Sequence, residues 1–390
     1  VEHRMYVALV AVIGLVMSAL TTRFGRNGLR LGLGLAMVAA AMTWNRNRDY
    51  ESARRLWTDT VEKRPSSALA QSNLGSVYFA SGAFGDALRH YRESLRLDSS
   101  SAQTHYNLGL TLDALGQREE AIVSYRTAVS ILSYYAQAEV RMGADLIALG
   151  RAEEAIAPLK HAAELLIDPG EAHLLLGQAW LAQKQWEAAV RSFQDDVSRN
   201  PRSASAELGY AVALFKLQQL SAALEHIDRS LRIDPTRSEA HYQRGLMTTA
   251  MGDPDAAMLS YGEAVRLAPE QVEAHLNLGI LLAQRGQLIE AEEHLATAVR
   301  IRPESPEAQA NLAIVLGERG KLPQAVAHYE KALSLRPTYA RAHYNLANTL
   351  LRLNRLEDAR DHLVQALKLE VDFVEARELL TRVEQVLPGK

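Results

Sequence analysis

Residues 272–303, VEAHLNLGILLAQRGQLIEAEEHLATAVRIRP, contain two amphipathic segments separated by a glycine. Leu278 and Gly279 are followed three residues later by another leucine, a spacing that places all three on one buried stripe of a helix. Gly286 can end that helix in the left-handed conformation at little steric cost. Pro303 then stops the second helix. The stretch therefore predicts a helix, a turn, a second helix and a second turn.

The same pattern recurs with a period of 34 residues, and a period of this length indicates a repeat architecture. A small residue stands at the Gly279 position in nine successive units: Gly75, Gly109, Gly143, Gly177, Ala211, Gly245, Gly279, Ala313 and Ala347. Twelve residues after each small residue stands an alanine: Ala87, Ala121, Ala155, Ala189, Ala223, Ala257, Ala291, Ala325 and Ala359. Two antiparallel helices pack closely only where their crossing point carries no bulky side chain. We therefore expect an all-α chain of stacked helix pairs.

This pattern closely resembles the tetratricopeptide repeat, through its large–small pair, its alanine in the second helix and its proline after that helix. The resemblance implies a right-handed α-solenoid of helix-turn-helix units with a concave inner groove. The family usually has a large aromatic residue four positions before the glycine, whereas this chain has histidine, glutamine or glutamate there. We expect this departure to alter local packing and to leave the fold unchanged.

The sequence predicts four segments. Residues 1–48 form two hydrophobic helices, and residues 49–67 form the second helix of an incomplete repeat. Residues 68–373 form nine tandem repeats of 34 residues. Residues 374–390 form a capping helix and tail, whose charged side chains would face water and protect the last repeat.

Residues 5–45 are predicted to form a membrane helical hairpin that precedes the solenoid. The uncharged stretch 5–22 would span about 27 Å as a helix, close to a bilayer core of roughly 30 Å. A second uncharged stretch covers residues 31–45. A cleaved signal peptide is the alternative for the first stretch. The loop between the stretches carries three arginines and no acidic residue, so the positive-inside rule predicts that the repeats lie on the extracytoplasmic side.

Residues 1–75 carry a second resemblance, to the junction in multispanning membrane glycosyltransferase-like proteins that end in tetratricopeptide repeats. These include the transmembrane O-mannosyltransferase type and its bacterial relatives. The matching residues are EHRMY at 2–6 and NRNRDYESARRLWTDTVEKRPSSALAQSNLG at 45–75. The catalytic acids of such enzymes lie in an early loop that this chain lacks. The resemblance therefore implies a substrate-presenting region whose catalytic part is absent from this chain, which begins with Val1 and not with methionine.

A candidate binding surface follows from the position two residues before each small residue, which we call the slot. The slot holds Asn73, Asn107, Arg141, Leu175, Gly209, Gln243, Asn277, Asn311 and Asn345. Helical geometry rotates the slot about 200° from the small residue, away from the partner helix and, in the family, toward the concave surface. A carboxamide can donate to and accept from one peptide group. We therefore predict a peptide-binding ladder of Asn73, Asn107, Asn277, Asn311 and Asn345, in two separate patches or in the C-terminal patch alone.

Two alternatives to the ladder remain open at this stage. The asparagines could bond to the local backbone or fringe the groove in water, as such side chains often do. Partners could instead bind the outer face or the turns. The ladder predicts recognition of an extended peptide with little regard to its sequence.

Composition excludes several classes of protein. A hydrophobic fraction of 48% with a charged fraction of 23% predicts a folded chain. A net charge of −3 gives no basic surface for nucleic acid, which also argues against an RNA-binding helical repeat. The absence of cysteine excludes disulfides and thiolate metal sites. No Walker, HExxH or GxSxG motif is present, so we expect no catalytic residues, no cofactor and no enzymatic activity.

Histidines occupy two repeated positions. The first set is His105, His173, His241, His275 and His343, and the second is His90, His226, His294, His328 and His362. Equivalent histidines of adjacent repeats stand farther apart than the roughly 8–10 Å of one helix contact, whereas zinc needs nitrogens at about 2.0–2.1 Å. We therefore predict packing roles and no metal site. The sequence as a whole predicts a membrane-anchored scaffold that binds a peptide segment or partner protein in its groove.

Overall fold

The computed structural model describes residues 53–387 together with Ala19, Thr22, Arg23, Gly25, Leu33, Met37 and Val38. Apart from those isolated positions, the hairpin predicted for residues 5–45 lies outside the described residues. Within the described part of the chain, no helix combines the length and the apolar character needed to cross a bilayer.

Residues 53–387 are helical and are joined by short turns. Helix α1 is Ala53–Lys63, and paired helices follow it. The first helix of each pair, called helix A, has 13 residues: α2 (Ala68–Ala80), α4 (Ala102–Ala114), α6 (Ala136–Ala148), α8 (Gly170–Ala182), α10 (Ala204–Lys216), α12 (Ser238–Ala250), α14 (Val272–Gln284), α16 (Pro306–Glu318) and α18 (Ala340–Arg352). The second, called helix B, has 14: α3 (Phe84–Leu97), α5 (Arg118–Ile131), α7 (Ala152–Leu165), α9 (Trp186–Arg199), α11 (Leu220–Ile233), α13 (Pro254–Leu267), α15 (Leu288–Ile301), α17 (Leu322–Leu335) and α19 (Leu356–Leu369). The last helix is α20 (Val374–Val386).

The turn between helix A and helix B contains a residue in the left-handed conformation. Six repeats use glycine with φ of 75–76°: Gly82, Gly116, Gly150, Gly252, Gly286 and Gly320. The equivalent turns place Lys184, Gln218 and Asn354 at φ of 57°, 61° and 59°. A side chain in this conformation crowds the following carbonyl, so these three turns carry a strain that the glycine turns avoid.

The small residue of helix A lies against the helix B residue sixteen positions later. A Cβ atom built on Gly109 would lie 2.4 Å from Tyr125 Cε1, and one built on Gly143 would lie 2.6 Å from Leu159 Cδ2. Neither position has room for a side chain, which is the physical reason for the small residues found every 34 positions. The helix B alanine is equally enclosed, since Ala257 has no exposed surface.

The chain divides within α8 into two compact units, one ending at Leu175 and one beginning at Leu176. In the first unit, residues such as Ala136, Val140 and Ala162 form a buried cluster between consecutive helices. In the second unit, a continuous buried cluster extends from Ala257 to Val383. Each unit is a solenoid of paired helices, which confirms the predicted all-α repeat fold.

Candidate peptide-binding surface

The second unit presents a row of amide side chains on three successive A helices. Asn277, Asn311 and Asn345 occupy equivalent positions on α14, α16 and α18, and all three are half-buried. We call these residues the amide row. Half-buried apolar side chains either precede a slot by one residue or follow it by three, and they include Leu246, Leu276, Ile280, Ile314 and Tyr344. The amide row therefore lies beside an accessible apolar stripe.

Asn277 also takes part in packing between repeats. Its side chain hydrogen-bonds to the hydroxyls of Tyr242 and Tyr261, which both belong to the preceding repeat. Burial raises the pKa of Tyr261, and its hydrogen bonds to Thr249 and Asn277 oppose that rise. The expectation that no slot asparagine lies on a packing face was therefore wrong for Asn277. The slot faces away from helix B of its own repeat, but here it faces helix B of the repeat before it.

The other two members of the amide row differ from Asn277. Asn311 Nδ2 donates to the backbone oxygen of Glu307 at 2.9 Å, which is the local bond that sequence analysis kept as an alternative. The Asn345 amide makes no hydrogen bond to another described residue, although the Asn345 backbone oxygen accepts one from Thr349 at 2.9 Å. Asn345 is therefore the member whose amide is most open to a peptide.

Asn73 and Asn107 line one polar cleft of about 420 Å³ in the first unit. Gln103 Nε2 donates to Asn107 Oδ1 at 3.0 Å. Hydroxyl groups supply most of the remaining polar lining: Ser72, Ser76, Ser94, Ser101 and Thr104. The structure thus brings the two N-terminal candidates together in a cleft that is richer in hydroxyl groups than the surface beside the amide row.

The asparagine series is interrupted at Gly209 for a packing reason. The ring of Phe193 on α9 lies between Gly177 and Gly209 and leaves no space for a Cβ atom at either glycine. The residue at the slot therefore depends on the helix B residue sixteen positions earlier, as it also does for Asn277 and Tyr261. Sequence analysis compared slots only with one another, although the spacing of sixteen was visible in the chain.

In the third repeat, Arg141 holds the slot beside a buried carboxylate. Asp145 is 4% exposed, and neither its Oδ2 atom nor the Tyr125 hydroxyl has a hydrogen-bond partner among the described residues. Burial, together with the charge of Asp113, raises the pKa of Asp145 to about 7, while Arg118 and Arg141 oppose the rise. Arg118 Nε lies 3.6 Å from Asp113 and 3.7 Å from Asp145. This patch therefore changes charge near neutral pH.

The two sets of histidines meet inside single repeats, at a spacing of nineteen residues across helices A and B. Glutamine faces histidine in two repeats, with Gln71 Oε1 2.8 Å from His90 Nδ1 and Gln309 Oε1 2.7 Å from His328 Nδ1. Glutamate faces histidine in the pair Glu207–His226. Two histidines face one another in two further repeats. No group of three or more histidine, aspartate or glutamate side chains in the described part of the chain could hold a metal ion.

Family models place tetratricopeptide repeats along both units. Models described as tetratricopeptide repeat match residues 102–131, 182–238, 249–314 and 340–371, and one described as TPR repeat matches 75–116 and 315–354. The helix pairs and these matches together show that the chain carries tetratricopeptide repeats, so the solenoid is of that type. The sequence matches no curated protein.

Solved structures of low sequence identity share the fold. PilF from Pseudomonas aeruginosa is 23% identical, and the match covers 57% of this chain and 99% of PilF with a TM-score of 0.47. YrrB, described as a TPR protein with an unusual peptide-binding site, is 23% identical, with coverage of 49% and 99% and a TM-score of 0.46. A tetratricopeptide repeat protein from Parabacteroides merdae is 20% identical, with coverage of 64% and 98% and a TM-score of 0.44. These likenesses concern the fold alone.

Proposed function

We propose that the chain is a membrane-anchored tetratricopeptide repeat scaffold that binds a peptide segment or a partner protein on its A helices. The observation that carries the proposal is the amide row, which lies beside a half-buried apolar stripe in three consecutive repeats. A carboxamide offers a donor and an acceptor to a peptide group. The apolar stripe can receive the side chains that an extended peptide directs toward the surface.

The charges that border the amide row favour a peptide of low net charge. Glu273 is paired with Arg302 at 2.7 Å, and Glu307 is paired with Arg336. These carboxylates are therefore compensated within the chain and leave little field to attract a strongly basic segment. Recognition of backbone and apolar groups fits this surface better than recognition of charge.

The amide row is tested by capturing partners with the wild type and with alanine variants and quantifying the bound protein. Changing Asn311 and Asn345 to alanine should weaken partner affinity by about 0.5–1.5 kcal/mol for each lost hydrogen bond. The triple variant that adds Asn277→Ala should weaken it further, by about 1.5–4.5 kcal/mol in total. Gln324→Ala is the matched control, because Gln324 is an exposed amide on helix B. Retained binding by the triple variant with its circular dichroism intact would falsify the ladder.

Membrane anchoring rests on the uncharged stretches at residues 5–22 and 31–45. The full chain is expected to sediment with membranes and to need detergent for release. The three arginines of the loop place the repeats on the extracytoplasmic side, so protease added outside sealed cells should digest them. Recovery of the full chain in the supernatant without detergent would contradict anchoring. Digestion only after lysis would reverse the orientation.

A second candidate function comes from the resemblance of residues 1–75 to membrane glycosyltransferase-like proteins. In that case the repeats would present a substrate to the catalytic part of such an enzyme. This function predicts that the partner captured on the amide row carries sugar at serine or threonine. Mass spectrometry of the captured protein distinguishes it from the plain scaffold.

A further inference from the structure

Two repeats of the second unit place a pair of histidines in contact. His275 on α14 and His294 on α15 approach with 3.0 Å between their Nδ1 atoms, and their ring centroids are 5.1 Å apart. His343 on α18 and His362 on α19 repeat this arrangement, with 2.9 Å between Nδ1 atoms and 5.2 Å between centroids. The helix pair that forms every repeat therefore builds the same two-nitrogen geometry twice.

The ring on helix A is held in a defined orientation in both pairs. His275 Nε2 lies 3.1 Å from the backbone oxygen of Pro269, and His343 Nε2 lies 3.2 Å from that of Pro337. A carbonyl oxygen can only accept, so Nε2 carries the proton, and in the neutral ring Nδ1 presents a lone pair. Metal-binding histidines are commonly oriented in this way, with the second ring nitrogen donating to a backbone carbonyl.

We propose that each histidine pair is a two-histidine site for a divalent transition-metal ion that prefers imidazole nitrogen, such as Cu²⁺ or Zn²⁺. Nitrogens at about 2.0–2.1 Å from a tetrahedral ion are separated by about 3.3 Å, which is a few tenths of an ångström more than the distance in either pair. On binding, the proton between the two Nδ1 atoms moves to Nε2 of the helix B histidine, so both rings coordinate as neutral ligands. His294 and His362 are half-buried, which leaves a side open for water to complete the coordination.

The charges around the two pairs rank them. The carboxylates of Asp358, Glu330 and Asp361 lie close enough to His362 to raise its pKa, although burial and His343 lower it overall. Near His275, by contrast, Arg300 opposes Glu270. A cation is favoured where negative charge exceeds positive charge. The pair His343–His362 is therefore expected to bind the ion more tightly than His275–His294.

The chain itself supplies a matched control for this site. In the repeat between the two pairs, Gln309 replaces the helix A histidine: its Nε2 donates to Pro303 O at 2.9 Å and its Oε1 lies 2.7 Å from His328 Nδ1. Glutamine thus keeps both hydrogen bonds and removes one nitrogen ligand. His275→Gln and His343→Gln are therefore expected to fold normally. Sequence analysis expected no metal because it compared only equivalent positions of adjacent repeats, and these pairs are nineteen residues apart in one repeat.

The test is calorimetric titration of the full-length protein with Cu²⁺ alone and with Zn²⁺ alone, using Mg²⁺ as a metal that prefers oxygen ligands. Each glutamine variant should bind one ion fewer than the wild type, and the double variant two fewer. The reverse change, Gln309→His, should create a third pair and add one bound ion. This gain cannot arise from misfolding, so it protects the test against a variant that fails to fold. An unchanged number of bound ions in the double variant, or no added ion in Gln309→His, would overturn the proposal.

Discussion

The ring of Phe193 occupies the space that a side chain at Gly209 would need, because a Cβ atom on Gly209 would lie 2.4 Å from Phe193 Cζ. Atoms in folded proteins do not approach so closely, so one of the two residues must change if the other does. The slot of one repeat is thereby tied to helix B of the repeat before it.

Replacing Gly209 by asparagine, the residue found at five other slots, is expected to destabilise the protein by about 1–3 kcal/mol through overpacking. Adding Phe193→Leu reproduces the natural combination of Leu295 with Asn311 and should restore part of that loss. Urea unfolding of the two single variants and the double variant measures the coupling. Strictly additive effects would show that Phe193 and Gly209 do not compete for space.

Lys184→Gly is expected to stabilise the second unit by about 0.5–1 kcal/mol. Lys184 holds φ of 57° in a turn where six other repeats use glycine, and glycine adopts this conformation without the Cβ clash. The reciprocal control is Gly286→Ala, which should destabilise by about 1 kcal/mol because a Cβ there meets no neighbouring atom and only the backbone conformation changes. Chemical unfolding measures both variants, and a less stable Lys184→Gly protein would contradict the strain argument.

Asp145→Asn is expected to raise the free energy of unfolding at pH 8 by about 1–3 kcal/mol. Because the folded-state pKa of Asp145 is raised to about 7, the folded chain binds more protons than the unfolded chain from about pH 4 to pH 7. The contribution of Asp145 to stability therefore falls as pH rises through this window. The gain from Asp145→Asn should shrink toward pH 4, where the carboxyl is protonated in both states. A gain of equal size at pH 4 and pH 8 would rule out this cause.

His328 should contribute a pH dependence of the opposite sign. Burial lowers the pKa of His328 below its ordinary value of 6.5, so on acidification the unfolded chain takes up its proton first. The free energy of unfolding should therefore fall as pH drops below about 6.5. In the variant His328→Gln this fall between pH 7.5 and pH 5.5 should be smaller than in the wild type. Identical falls in the two proteins, measured by urea unfolding, would contradict the assignment to His328.

Ala257→Leu is expected to cost about 1–3 kcal/mol, because Ala257 has no exposed surface and the added atoms must displace its neighbours. Ala296→Leu is the control, since Ala296 is an exposed alanine of α15. Thermal unfolding compares the two variants. Equal melting temperatures for Ala257→Leu and the wild type would remove the packing role of the helix B alanine.

The fold could be predicted from the sequence because each helix crossing imposes the same demand every 34 residues. Gly109 and Ala257 are required by contacts within one repeat, and such contacts leave a periodic trace. The contact of Asn277 with Tyr261 joins two repeats, and that of His275 with His294 joins two different positions of one repeat. A comparison of equivalent positions cannot reveal either contact. They depend on the distance and rotation between helices, which only the three-dimensional structure supplies.

The sixteen-residue relation between helix B and the following slot limits how the repeats can be rearranged. A segment carrying Gly209 could be moved behind a repeat that ends in tyrosine, and it would then leave a hydroxyl without the amide that Asn277 gives to Tyr261. A segment carrying Asn277 placed after Phe193 would meet a ring where it needs space. Duplication, deletion or shuffling of whole repeats is therefore tolerated best when the break falls inside a repeat, between helix A and helix B, so that each helix B keeps the helix A that follows it.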